Sequence, residues 1–338
     1  MQTFNKINTI LLVTGLLLTA DGIAQDYHLS HYDAAPLYLN PALTGMSKDI
    51  RGDYRITSDF RSQWKSIGIK PFKTFYVGYD MPIEKKENRF GVGGYIINHR
   101  AGIGQFNTFS LMASGSYDIT KGKKNPHIFK TGLQLGFLNK AYAQENFTFN
   151  EQYNTSTGEF DQTTDNREDF QKASIFKFDA AFGLYYKYLD PEEKYTPSAG
   201  LALQHITMPD ESFTAYKSKL PIRYTFHTDC KININEKWDV TPKLLFMLQA
   251  RATEFNFGAQ GSYKIDDNFK VLPGIWYRNK DALILDLAFQ FTNNYLRFSY
   301  DINTSYLNSY SGGRGAFEIS LILVGKKGEP LVPVRKYF

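Results

Sequence analysis

The chain has 338 residues, of which 42% are hydrophobic, 22% charged and 16% aromatic, and its formal net charge is +5. So many charges and so few long apolar runs exclude a bundle of transmembrane helices, and the dispersed positive charge excludes a polybasic nucleic-acid surface. The aromatic share suits a barrel wall in lipid, where alternate residues are apolar and aromatic girdles mark both interfaces.

The first element, residues 1–24, reads as a signal peptide. Lys6 supplies the positive start, Ile7 to Ala20 the apolar stretch, and Gly22 and Ala24 the small residues before a cut at Gln25. The apolar stretch is short for a spanning helix, which needs roughly 20 residues, and no cysteine follows it to take a lipid anchor. No later segment is long and apolar enough to span as a helix. The sequence therefore predicts an exported protein that, if it enters a membrane, does so as strands.

Residues 25–47 are expected to form a short N-terminal periplasmic segment. Pro36, Pro41 and Gly45 punctuate it, while Leu37, Leu39 and Leu43 require a surface to cover them. That combination places it at the periplasmic mouth of whatever follows.

From residue 48 to 325 the hydrophobic period is close to 2. Phe176, Phe178, Ala180, Phe182 and Leu184 alternate with Lys177, Asp179, Ala181 and Gly183; Leu283, Leu285, Leu287 and Phe289 alternate with Ile284, Asp286 and Ala288. Soluble strands average roughly 5–6 residues and membrane-spanning ones about 9–11, and these runs belong to the longer class. Fourteen runs are predicted, near 48–58, 72–82, 89–99, 106–119, 127–140, 174–189, 196–206, 221–234, 239–251, 253–265, 269–278, 281–292, 294–303 and 314–324. The fold expected is thus all-β: a transmembrane antiparallel up-and-down barrel of about 14 strands, closed so that no edge remains. Short turns such as Asp190-Pro191 and Asn293-Asn294 alternate with long polar connections at 142–172 and 207–220, which are expected on the cell surface. Residues 326–338 form a C-terminal tail. Pro242, inside a predicted strand, signals a bulge or strand entry. Gly91, Gly93 and Gly94 read as glycines of a crowded wall, since no helix follows to make them a phosphate loop.

Chemistry-bearing constellations are sparse. His28 and His31 are three residues apart, but only Asp26 and Asp33 stand nearby as further metal ligands. Asp161, Asp165, Glu168 and Asp169 crowd one loop without EF-hand spacing. No G-x-S-x-G elbow occurs, and Cys230, the single cysteine, reads as a small wall residue. No catalytic residue, metal or cofactor is therefore assigned. A set of charges falls on the inward faces: Arg51, Asp53, Arg55, Lys177, Asp179, Arg223, Asp229, Arg297, Asp301 and Glu318. These are candidate ion pairs filling the lumen, weighed against a selective pore.

The stretch from Gln25 to Gly45, with its Tyr38-Leu39-Asn40-Pro41-Ala42 core, resembles the start of the PorP/SprF family of the type IX secretion and gliding machinery. Arg61-Ser62-Gln63-Trp64 resembles that family's early Arg–Gln–Trp element, and Gly315 to Leu321 its closing strand, with Phe317 where histidine is commoner. Tyr277-Arg278 and Tyr300-Asp301 fit as well. The tail lacks the cysteine many members carry, so no role of that cysteine is carried over. The resemblance implies a non-enzymatic outer-membrane barrel that supports secretion or surface attachment of a cognate adhesin and contacts periplasmic machinery. Outer-membrane lipid, secreted cargo and that machinery are the implied partners, with no nucleic acid among them. Pro36, Leu37, Tyr38, Leu39, Asn40, Pro41 and Gly45 become candidate partner contacts. The alternative function is an outer-membrane transport channel.

Overall fold

The computed structural model describes residues 26–46, 52–67, 70–85, 88–102, 104–120, 125–143, 147–161, 163–165, 173–326 and 328. The expected signal peptide and most of the tail lie outside these residues, as do Arg51, Glu168 and Asp169.

Alternation builds long strands, and the strands build a closed wall. In chain order they are β1 (Tyr54–Gln63), β2 (Phe72–Lys85), β3 (Asn88–Ala101), β4 (Phe106–Asp118), β5 (His127–Ala141), β6 (Tyr153–Asn154), β7 (Glu159–Phe160), β8 (Ser174–Tyr188) and β9 (Tyr195–Gln204). There follow β10 (Arg223–Asn233), β11 (Trp238–Gln249), β12 (Ala252–Lys264), β13 (Phe269–Arg278), β14 (Ala282–Phe291), β15 (Asn294–Asn303) and β16 (Arg314–Gly325). All but β6 and β7, which form a small hairpin of their own, pair in sequence order as a 14-stranded antiparallel barrel. β1 closes it against β16, from Tyr54↔Gly325 to Gln63↔Ala316. Closure removes both edges, the liability of any open sheet.

Period 2 sorts the two faces. On β5, Phe129, Leu133, Leu135 and Phe137 point outward and are exposed, while Lys130 and Gln134 between them are buried inside. The exposed outer face is predominantly apolar, as lipid requires. One end of the barrel carries the start of β1, the end of β16 and the shorter turns; the other carries the long connections at 142–173 and 205–222.

Two expectations need correction. β1 starts at Tyr54 and runs to Gln63, later than the predicted 48–58, because Ser58 and Ser62 interleave with Ile56 and Phe60 on its outer face and blur the period. Pro242 makes no bulge. The β10–β11 register is the same on both sides of it, Asp229↔Lys243 and Ile232↔Val240, and pairing simply lapses between them. Proline has no N–H to give β10, whereas on its other side Pro242↔Ala259 remains in the ladder.

The lumen holds a plug. Residues 26–46 thread through it rather than sitting at its mouth. Asp26 meets Gln249 at the long-connection end of β11, and Gly45 meets Asp80 toward the opposite end of β2. Inside, Leu37 packs with Leu29, Ala35, Tyr76, Tyr95, Ile97 and Met112, and Leu39 with Tyr32 and Leu245. These inward apolar residues stand beside the lumen's charges. They give the segment's leucines a cover that a position at the rim could not.

Candidate functional site

The candidate site is this internal plug and the wall that grips it. Its centre is the turn at Asn40-Pro41-Ala42. Asn40 caps a single 3-10 turn, Pro41–Leu43, by accepting the Ala42 N–H at 2.9 Å. Its amide nitrogen donates to the main-chain carbonyls of Leu184 at 3.0 Å and Leu201 at 3.3 Å, on β8 and β9. The side chain is fully buried with donor and acceptor both used, the condition under which a buried amide stabilises rather than costs.

The wall is hollowed to receive this turn. A Cβ on Gly132 would lie 2.3 Å from the Pro41 carbonyl carbon, and one on Gly183 would lie 2.0 Å from the Asn40 Oδ1. The Gly91 noted in the sequence does the same against the Thr44 carbonyl, at 2.2 Å. Wall glycines thus form the seat of the plug.

Main-chain carbonyls of the plug are satisfied by inward side chains, since the segment has no regular ladder of its own. Gln134 donates to the Leu37 carbonyl at 2.7 Å and Gln204 to that of Leu39 at 3.0 Å. Arg55 reaches the Leu43 carbonyl at 3.1 Å, and both Ser116 and Lys130 reach that of Thr44 at 2.7 Å. The resemblance motif, Pro36 to Gly45, therefore lies inside the barrel gripped by the wall. Among its residues Tyr38 stands apart: its hydroxyl accepts from Arg223 at 2.6 Å, and the guanidinium lies over its ring at 4.5 Å.

The lumen charges form a network that includes the plug. Arg61 pairs with Glu318 and Asp301, both at 2.9 Å, and Arg278 pairs with Asp301 at 2.7 Å. Glu318 accepts the main-chain N–H groups of Ser30 at 2.9 Å and His31 at 2.6 Å. Arg297 bridges Asp33 at 2.6 Å and Asp286 at 3.0 Å, with Lys243 also on Asp33 at 2.5 Å. Arg55 holds Asp80 at 2.9 Å. Asp179 pairs with His205 at 2.6 Å, and Asp229 accepts from Ser198 at 2.6 Å. Lys177 lies half-buried on the lumen side of β8 and acts electrostatically on Asp210 of the next connection. Asp53 precedes β1, its N–H on the Gly325 carbonyl at 2.8 Å.

Arg55, Asp179, Arg223, Arg297, Asp301 and Glu318 thus find these partners outside the predicted set. Asp59, Arg61, Asp80, Arg278 and Asp286 on the wall, and Asp26, His31 and Asp33 on the plug, belong to the network without being expected in it. The sequence offers Arg61 and Arg278 only within resemblance motifs and Asp26, His31 and Asp33 only as sparse metal ligands, and a first strand ending at 58 leaves out Asp59 and Arg61. Buried ion pairs of this kind give little net stability against an apolar filling, yet removing one partner is costly.

The end of the plug beside the long connections is clamped. The Asp26 N–H donates to Gln249 Oε1 at 2.9 Å, and its carboxylate meets His205 at 2.7 Å and Arg223 at 3.1 Å. Burial works against charge on Asp26, but the neighbouring charges of His205 and Arg223 hold its carboxyl below the usual range. His205 is likewise disfavoured by burial and favoured by Asp26 and Asp179, and is pushed up to about 9. Beside the clamp a cavity of about 400 Å³ is lined by Tyr27, Arg61, Trp64, Phe72, His99 and Lys140, among others. Tyr27 stacks on His99 with ring centres 4.5 Å apart.

His28 and His31 diverge. His28 lies between Glu254 at 3.5 Å and Asp281 at 3.6 Å, whereas His31 contacts Asp286 at 3.1 Å and Ser320. Ligand-capable atoms of His31, Asp59 and Glu318 come within 4.8 Å of one another. Each already bonds protein groups: Asp59 takes Ser320 at 2.7 Å, and Glu318 takes Arg61 and the two main-chain N–H groups. The arrangement is that of an ion network.

Comparison with solved structures places the fold among outer-membrane barrels. The chain resembles the Pseudomonas putida toluene transporter TodX with a TM-score of 0.50 and 10% identity, over 89% of this chain and 94% of that one. The Ralstonia pickettii toluene transporter TbuX is also similar, with a TM-score of 0.47 and 10% identity over 85% and 91% of the two chains. At such identity the likeness concerns architecture alone. Among curated proteins none matches. The family described as type IX secretion system membrane protein PorP/SprF matches residues 22–323, and this outer-membrane barrel belongs to it.

Proposed function

We propose that the protein is a closed anchor in the outer membrane. Its long connections hold a cognate secreted adhesin during secretion or at the surface, and its short-turn end faces periplasmic components of the type IX machinery. The observation that carries this reading is the plug, seated on wall glycines and bonded along its length, in a lumen that a free-running pore would keep open. Family membership supports a role in type IX secretion, and the polar connections at 142–173 and 205–222 supply the contact surface. The barrel anchors and does no bond-making chemistry.

A transport channel is the second reading, since TodX, a barrel of similar fold, is a toluene transporter. The two part company in one experiment. The detergent-extracted barrel is captured from envelopes and, separately, placed in planar bilayers. An anchor recovers a secreted protein or a machinery component and passes little current; a channel conducts robustly and recovers neither.

A further inference from the structure

The plug has a direction, and the direction has a consequence. Asp26 sits at the long-connection end, held by Gln249, His205 and Arg223 where β11, β9 and β10 end or begin. Gly45 sits toward the other end, its N–H on Asp80 at 2.6 Å, and β1 starts there at Tyr54. The chain therefore runs from the long-connection end down the lumen and then turns back up into the wall. In outer-membrane barrels long connections face outside and short turns face the periplasm. We infer that the leading end of the plug, at Asp26, is presented at the outer mouth, where it forms one surface with the 205–222 connection and the described residues beside Tyr142.

Three further contacts tie that surface together. Lys140, at the top of β5, pairs with Glu211 of the β9–β10 connection. Phe213 of the same connection meets Tyr142 edge-on at 4.9 Å and Phe106 at 5.7 Å. His205 opens that connection and grips Asp26. A secreted polypeptide settling on the connections thus reaches the amino end of the plug directly. The sequence reading puts residues 25–47 at the periplasmic mouth; the inferred polarity puts the leading end of the segment at the opposite mouth. The inference deepens the anchor reading and rests on its assignment of the outer face.

Membrane-impermeant maleimide labelling of intact cells tests it. In a Cys230→Ser background, single cysteines are placed by Asp26→Cys, by Tyr306→Cys in an exposed long-end connection, and by Asn293→Cys in a short turn. Heat-dependent gel migration checks that each variant is folded. Because Asp26→Cys removes part of the clamp, a short epitope inserted between Gln25 and Asp26, probed with antibody, gives a second measure. The expected result is labelling of Asp26→Cys and detection of the epitope on intact cells, with Asp26→Cys reacting more slowly than the exposed Tyr306→Cys and Asn293→Cys labelled only after permeabilisation. Modification of Asp26 and detection of the epitope only after permeabilisation overturns the polarity while leaving the anchor intact. If Tyr306 also requires permeabilisation, both fall. If the outer labelling holds but no secreted protein is captured, the polarity stands and the anchor reading fails.

Discussion

Arg61 and Glu318 are direct cross-strand partners on β1 and β16, and their side chains pair at 2.9 Å across the seam where the barrel closes. Glu318 is at the same time the acceptor for the main-chain N–H groups of Ser30 and His31. One carboxylate thus serves both the closure of the wall and the placement of the plug.

Replacing Arg61 by leucine leaves the buried Glu318 without its arginine and takes one of two arginines from Asp301, which keeps Arg278. Loss of one partner from a buried pair costs about 3–5 kcal/mol. The variant is expected to lose its heat-resistant gel form at a clearly lower temperature than the parent. Arg61→Lys should recover only part of the loss, because a single ammonium cannot satisfy Ser30, Asp301 and Glu318 as the guanidinium fork does.

Gly132→Ala and Gly183→Ala put a methyl group into the Asn40-Pro41 turn. The obstacle is main chain and a buried, bonded amide, so the plug rather than the methyl must give way. Overpacking of this kind costs about 1–3 kcal/mol. The barrel should still assemble, and single-channel recordings should show conductance well above the parent, approaching that of a variant lacking residues 26–46. A current equal to the parent's would mean the plug is not seated on these glycines.

Proximity of His205 to Asp26 predicts a pH dependence of the clamp. His205 rises from 6.5 to about 9 in the folded protein, so its contribution is complete below about pH 6.5 and is lost as pH climbs through about 9. Asp26 is shifted the other way, and its contribution is present above the ordinary carboxylate range and lost only in strong acid. Both are in force at neutral pH. Proteolysis of the connection at 205–222 should therefore quicken between pH 8 and pH 10 on the scale of that shift, and His205→Gln should flatten the profile.

Leu285 lies on the outer face of β14, 47% exposed, beside the buried Asp286. Leu285→Arg is expected to destabilise the barrel by about 2–4 kcal/mol if it lies near the bilayer midplane. Unfolding by urea in lipid vesicles measures it. A negligible change would place this face away from lipid.

Most of the wall is legible because lipid imposes period 2 on its outer face: Leu283, Leu285 and Leu287 keep that face apolar along β14, and the reading slips at β1, where Ser58 and Ser62 blur the period. The interior is less so. Residues 26–46 carry no periodicity, and what decides their place is long-range: Gly132 and Gly183 hollowing a seat, and Gln134 and Gln204 waiting with donors. Each of these reads locally as an ordinary strand position. Asp286 was seen as an inward polar residue, but only the plug, bringing His31 and Asp33 to it and its neighbour Arg297, shows it to be a member of the network.

The bonds from Gln134 and Lys130 on β5, Ser116 on β4 and Gln204 on β9 reach the plug from three strands, at the carbonyls of Leu37, Leu39 and Thr44. A tension applied at its outward end would fall on many of them together, as on a riveted strip pulled lengthwise, instead of opening them one by one. Such a fastening suits the anchoring role proposed for the barrel.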